Sequence, residues 1–274
     1  MIAPVSFLAV DWSGARDRGG APGIWIAEAR AGRLVDLRGD LDRDQAVAHI
    51  LAHVVREPHT LVGLDFAFSM PAWFLRSRGL HSARDLWTLA AREGEAWLAQ
   101  CPPPFWGRPG VGKPAAAPER PPLRHSEREL ARATGSKPKS VFQIGGAGAV
   151  GTGSIRGMPY LSRLLVAGIT VWPFETPHRP PRLPVAVEIY PRLFTGPVVK
   201  KHAHARRDYL DRHFAGQDPV LSERAAGSED AFDAAVSAWQ MSRIGQVPTA
   251  LAPDTHPDVL LEGRIWPPPD QLAP

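Results

Sequence analysis

A chain of 274 residues, 44% hydrophobic and 22% charged, is long enough to bury a sizeable core in one or two domains. Its single cysteine, Cys101, excludes an internal disulfide and a secreted disulfide scaffold, and fits a reducing compartment. The net charge of +4 comes from scattered arginines, which suits a polyanionic partner without demanding one.

The first element read from the N-terminus is SFLAVD, an apolar run ending at Asp11 and followed by the small-residue turn Trp12-Ser13-Gly14. GIWIAEAR and RLVDLRG follow, short and alternating, with glycine-containing turns between them. This pattern predicts a three-stranded antiparallel meander. In DRDQAVAHILAHVVRE, Ala46, Val47, Ile50, Leu51, Val54 and Val55 recur at helical spacing, with Asp42 or Asp44 as the cap. TLVGLDFAFSMP reads as a buried parallel strand carrying Asp65 at its end. ARDLWTLAAREGEAWLAQ is an amphipathic helix stopped by Pro102, Pro103 and Pro104.

From about 101 to 184 the rhythm breaks, and this stretch reads as an insertion within one domain spanning 1–274. It opens on a Pro- and Gly-rich loop. A short helix follows, starting at a Ser126 to Glu129 capping box. SVFQIGGAGAVGTGS reads as strand-like and then Gly-rich, and MPYLSRLLVAG as a helix with Pro159 near its start. ITVWPFE is a candidate further strand. Regularity returns with PVAVEIYPRLF, a strand carrying Glu188. Two helices follow, KKHAHARRDYLDRHF and SEDAFDAAVSAWQMSRIG, the second with Ser228 at its cap. The proline-rich tail reads as surface coil. Three hairpin-linked strands followed by β-α-β crossovers define a mixed five-stranded α/β sheet with helices on both faces. This is the ribonuclease-H-like arrangement.

Asp11 and Asp65 close two strands of this order, Glu188 lies in the last strand, and Asp230 and Asp233 lie in the first turn of the final helix. Singly, each acid has an ordinary explanation: a turn residue, a loop cap, an edge-strand surface group, or first-turn acids favoured by the helix dipole. Together they form a pattern, because an acid closing an apolar strand is costly unless solvated, paired or metal-bound. The first and fourth strands should be neighbours with the last helix across their ends, so the acids would converge. Asp230 and Asp233, three apart, share a helix side, and Ala231, Ala234, Ala235 and Ala238 allow close approach to the sheet. Converging carboxylates suit Mg²⁺ or Mn²⁺, and two such ions about 3.5–4 Å apart can bind the attacking and leaving oxygens of a phosphodiester displacement.

VDWSGA, GLDFAFSMP, FQIGGAGAVGTGSIRGMP, the WPFE segment, VEIYPRLFTG and SEDAFDAAVSAW, in this order across about residues 5 to 245, resemble the domain-of-unknown-function family 429. Members of that family are described as predicted ribonuclease-H-like nucleases. The resemblance implies that fold and, less directly, that activity. Superfamily metal ligands on the first strand, the fourth strand and the last helix would correspond to Asp11, Asp65 and Asp233, with Asp230 as an alternate. Glu188 belongs to the family pattern rather than to the best-known ribonuclease H pattern.

Ser13, Arg124, Arg156, Lys200 and Lys201 are the candidate substrate-binding residues. Arg124, His125 and Glu127 stand just before a helix, where they either reach a phosphate or serve as a helix-start cluster. The run of Gly145, Gly146, Gly148, Gly151 and Gly153 lacks the Lys-Ser/Thr ending of a P-loop. It reads as a loop near the site or as an anion cradle ahead of Ser154 and Arg156. Lys200, Lys201, His202, His204, Arg206 and Arg207 form the densest basic run, a solvated helix face or a phosphate-contacting patch. Neither Ser13 nor Ser69 sits in a GxSxG elbow, and His202 and His204 make no HExxH.

No stretch approaches the roughly 20 apolar residues of a membrane span. The N-terminus also lacks the basic region of a signal peptide. The expectation is therefore a cytoplasmic protein with no membrane partner. Three functions compete. The first is a metal-dependent nuclease or phosphodiesterase using Asp11, Asp65, Glu188 and Asp233 on nucleic acid or a nucleotide. The second is a non-catalytic nucleic-acid- or protein-binding member of the fold. The third is an actin-like or sugar-kinase-like ATP-binding protein, which normally needs two copies of the fold. The sequence leaves the substrate and the oligomeric state open.

Overall fold

Four consecutive buried apolar residues, Phe7 to Val10, make β1 (Ser6–Asp11) the interior strand that its composition predicts. The computed structural model describes residues 4–15, 23–115, 117–175, 182–244, 251 and 256–268. β1 pairs antiparallel with β2 (Ile24–Arg30), which pairs antiparallel with β3 (Arg33–Leu41). This is the expected meander. α1 (Arg43–Arg56) begins at a capping box: Asp42 accepts from the Gln45 backbone N–H at 2.7 Å, and the Gln45 side chain accepts from the Asp42 N–H at 3.0 Å. Its buried residues Ala46, Val47, Ile50 and Val54 form the inward stripe. β4 (Thr60–Leu64) then runs parallel to β1.

Here the chain leaves its first unit, Met1–Asp65 with Arg182–Pro248, for a second, Phe66–Pro181 with Thr249–Pro274. The second unit opens with a helix the sequence reading did not assign, α2 (Ala72–Ser77), followed by α3 (Ala83–Gln100). A Ser82–Asp85 capping box starts α3, and buried Cys101 ends it at φ 49°. α4 (His125–Thr134) starts one residue earlier than expected. Ser126 is therefore not the cap. Glu127 instead accepts from the Arg124 backbone N–H at 2.9 Å and from its guanidinium, a stronger, charge-assisted cap. α5 (Gly151–Val166) also starts earlier than expected and holds Pro159 inside it. Gly151 packs against backbone there, since a Cβ would lie 2.1 Å from the Val141 carbonyl oxygen. Its N–H donates to the Gln143 carbonyl at 3.0 Å. ITVWPFE contributes only the two-residue strand β5 (Thr170–Val171).

β6 (Val185–Ile189), back in the first unit, pairs parallel with β4, so the strand order within this unit is β3-β2-β1-β4-β6. α6 (Arg192–Thr195), α7 (Ala203–His213), α8 (Pro219–Ala226) and α9 (Glu229–Ile244) follow. α8 was not anticipated, although Asp218 caps it and Pro219 occupies its first turn. α9 lies on β1, β2 and β3 with Ala231, Ala234, Ala235 and Ala238 fully buried. Close approach also explains Gly63 in β4, where a Cβ would stand 2.8 Å from both Ile189 and the Met241 sulfur. α1 covers the opposite face: His53 on α1 meets the Ser6 hydroxyl at 2.9 Å, and Ser6 alternates away from Ala9. The first unit is thus α/β, with a mixed sheet and helices on both faces.

The described part of the tail, residues 256–268, is not surface coil. α10 (Val259–Glu262) and β7 (Ile265–Trp266) bring buried Val259, Glu262, Ile265 and Trp266 into the second unit. Glu262 accepts from the Ala72 N–H at 2.6 Å and from the His125 N–H, so one buried acid caps α2 and α4 together. No helix among the described residues is long and apolar enough to cross a membrane.

Candidate carboxylate site

Strand register brings the first two acids together. Val10 pairs with Leu64, and the Asp65 N–H donates to the Val10 carbonyl at 3.0 Å, extending the ladder one residue past β4. Asp11 and Asp65 therefore leave adjacent parallel strands side by side, on the face covered by α9. The first turn of α9 adds Asp230 and the next adds Asp233, which is only 6% exposed. A Ser228 hydroxyl accepting from the Ala231 N–H at 3.0 Å fixes where the helix begins. Asp11 and Asp65 keep partial access to solvent.

The electrostatics record this convergence. Burial pushes the Asp11 carboxyl well above its usual range, and Asp65, Asp233 and Asp230 push it further. Burial, then Asp233, Glu188 and Asp230, raise Asp65 to about 8, against the opposing pull of Lys200. Asp233 is raised to about 6, mainly by burial, with Lys200 holding it down. Burial and Glu229 raise Asp230. Burial alone would lower the Lys200 ammonium, but Asp233, Asp11 and Asp65 outweigh it and hold Lys200 above its ordinary value.

Lys200 is the main departure from the sequence reading. Expected to contact substrate, it pairs instead with Asp233 Oδ2 from the segment before α7. The other oxygen, Asp233 Oδ1, is buried without a hydrogen-bond partner among the described residues, as is the Ser237 hydroxyl one turn further along α9. Arg206, read as part of a basic face, is 6% exposed. Its guanidinium donates to the carbonyls of Ala226, Gly227 and Lys200, tying the lysine's backbone to the approach to α9. Lys201, His202, His204 and Arg207 of the same run remain exposed.

Glu188 is 3% exposed and pairs in register with Leu64, so it shares the α1 face with Val10 and Leu64, opposite Asp11. Its charge acts on Asp65. Ser13 stands in the turn after Asp11, its hydroxyl accepting from the Ala15 N–H at 3.2 Å. Arg43, which sequence reasoning missed, donates to the carbonyls of Ser13 and Ala15 at 3.1 and 2.9 Å and holds that turn. Its place at the start of α1 was the one available signal.

Arg124 and Arg156 lie in the second unit. The Arg124 side chain is buried, donating to Glu127 and to the Glu262 carbonyl, which supports the helix-start alternative. Arg156 pairs with Glu95 at 2.6 Å. The Ser154 hydroxyl accepts from the Ala67 N–H at 3.0 Å.

Hard carboxylate oxygens, mutual repulsion and an unpartnered buried Oδ1 are the donor chemistry a divalent cation requires. The cage is not preformed: among the described residues, no three His, Cys, Asp or Glu side chains are assembled as a metal-binding group. An internal cation, Lys200, neutralises part of the cluster instead. No protein-family model, no curated protein and no solved structure matches this chain.

Proposed function

We propose that the first unit is a ribonuclease-H-like domain, as the resemblance to family 429 implies, and that it hydrolyses phosphodiesters of nucleic acid or a nucleotide using Mg²⁺ or Mn²⁺. One observation carries this reading. Acids from β1, from the end of β4 and from α9, far apart in sequence, converge in a partly open site, where Asp65 and Asp233 raise Asp11 and Asp233 raises Asp65. Asp11, Asp65 and Asp233 would hold the cation, with Asp230 beside them and Glu188 acting on Asp65 from the other face of the sheet. A bound ion supplies Lewis-acid stabilisation of charge on phosphate oxygens.

The remaining work falls to the chain's own groups. Arg43 fixes the turn that aims Asp11, and Arg206 fixes the backbone of Lys200. When Lys200 yields Asp233, its ammonium is free to meet a substrate phosphate a short distance away. Asp65, raised to about 8, holds a proton at neutral pH and would release it when a cation binds. A single buried cysteine fits the cytoplasm as the setting.

The Lys200–Asp233 pair favours a second reading, a member of the fold that binds without turning over, its acids already neutralised by lysine. Labelled RNA, DNA and hybrid, incubated with Mn²⁺, Mg²⁺ or EDTA beside the Asp11→Asn variant, separate the two. Cleavage that needs metal and vanishes in the variant supports the hydrolase. Metal binding without cleavage supports the second reading.

A further inference from the structure

The second unit holds a cavity of about 540 Å³ within Phe66–Pro181, of the size that takes a small organic ligand. Its floor is aromatic: Phe74 and Phe142 are each 1% exposed, with ring centroids 5.4 Å apart, and Trp106 packs against Phe142 at 6.4 Å. Trp73 forms a wall, partly exposed, its ring 5.4 Å from that of Phe142. The Trp73 indole N–H donates to the Pro121 carbonyl at 2.9 Å, which sets the ring plane. This is a stiff π-surface open on one side.

The rim is cationic. Lys113 and Arg120 are exposed and line the cavity at 5.9 Å from the rings of Trp106 and Trp73. Neither forms an ion pair among the described residues. Arg78 lies 4.5 Å over Phe74. Glu119 is the one acid of the lining, against these three cations. The partly exposed Trp73 ring beside basic side chains matches a flat aromatic ligand carrying negative charge. A purely apolar ligand or a proline-rich peptide gains nothing from Lys113 and Arg120.

We infer that this cavity binds a nucleotide unit, its base stacked against Trp73 and its phosphate held by Lys113 and Arg120. Base stacking on an aromatic ring supports affinity without sequence preference, and the cations add a salt-dependent contribution. The site draws on no carboxylate of the first unit and needs no metal. It therefore stands or falls apart from the hydrolase reading.

The test is equilibrium binding by the full chain in EDTA, so that no metal-dependent chemistry intervenes. The probes are fluorescein-labelled dT12, thymidine monophosphate, thymidine and a decaproline peptide. Binding of dT12 or of the monophosphate, with thymidine weaker than its monophosphate, supports the proposal. A dT12 affinity well above that of the monophosphate identifies the source as a strand, and equal affinities identify it as the free nucleotide. Lys113→Ala/Arg120→Ala, both exposed, should keep the thermal midpoint. That variant should also flatten the slope of log affinity against log salt for dT12 by about 0.7, the contribution of one neutralised phosphate. Trp73→Leu should weaken binding on the order of tenfold. The inference is overturned if no nucleotide probe binds, if both variants bind as the wild type does, or if decaproline alone binds.

Discussion

Replacing Lys200 by methionine tests whether the lysine stands in for a metal ion. The substitution keeps the length of the stem and removes the ammonium paired with Asp233. Breaking a buried ion pair by deleting one partner costs about 3–5 kcal/mol. The Lys200 side chain keeps 22% exposure, so the low end applies, about 3 kcal/mol. At about 2–4 °C per kcal/mol, the melting midpoint in EDTA should fall by roughly 6–12 °C. The acids respond by taking up protons, so the loss should grow from pH 6 to pH 8. Mn²⁺ at about 100 times its Kd adds about 2.7 kcal/mol and should restore most of the midpoint. The wild type should gain less, because Lys200 competes for Asp233. Lys201→Met, at the exposed neighbour, should leave the midpoint unchanged. Scanning fluorimetry of the three proteins with EDTA or Mn²⁺ reads all of this. A Lys200→Met midpoint equal to wild type, or a Mn²⁺ gain no larger than the wild type's, would mean that Lys200 does not occupy the place of a cation.

The raised carboxyls also set a pH dependence. Asp65 at about 8 and Asp233 at about 6 hold protons that the unfolded chain, with carboxyls near 4, has released. Their contribution is complete below about pH 4 and is lost as pH rises through about 6 and then 8. Chemical unfolding in EDTA between pH 5 and 9 should show this decline, with a flatter slope in Asp65→Asn; equal slopes would contradict the assignment. Gly63→Val forces a side chain into the space where a Cβ already meets Ile189 and Met241 at 2.8 Å, and should cost about 1–3 kcal/mol in urea unfolding. Asp42→Ala removes the cap of α1, and in the same assay should lower stability by about 1 kcal/mol.

The first unit was legible because its strands and long helices carry periodic apolar patterns that survive reading in isolation. SFLAVD, TLVGLD and VAVEI each place an acid at or near the end of a buried run, and the alanines of α9 announce a close-packed helix. Three features were not legible. Lys200 sits in a turn with no period, and only the fold shows that this one lysine meets Asp233 while Lys201, His202, His204 and Arg207 stay exposed. The face of Glu188 depends on register, which a strand's own sequence does not specify. The second unit relies on Glu262 capping two helices from more than 130 residues away, and on Gly151 meeting backbone. Such long-range contacts leave no local signal, so the tail and the start of α5 were misread.

That Asp11, Asp65 and Asp233 would hold a divalent cation is a claim that calorimetric titration of Mn²⁺ into wild type and Asp11→Asn at pH 7 can decide. Two buffers of different ionisation enthalpy report the protons released. The wild type should bind saturably with release of close to one proton or more, since Asp65 at about 8 is roughly nine-tenths protonated at that pH. That binding should be lost in the variant. Wild-type protein that takes up no Mn²⁺, or binds it with no proton released and equally well in Asp11→Asn, would contradict the claim.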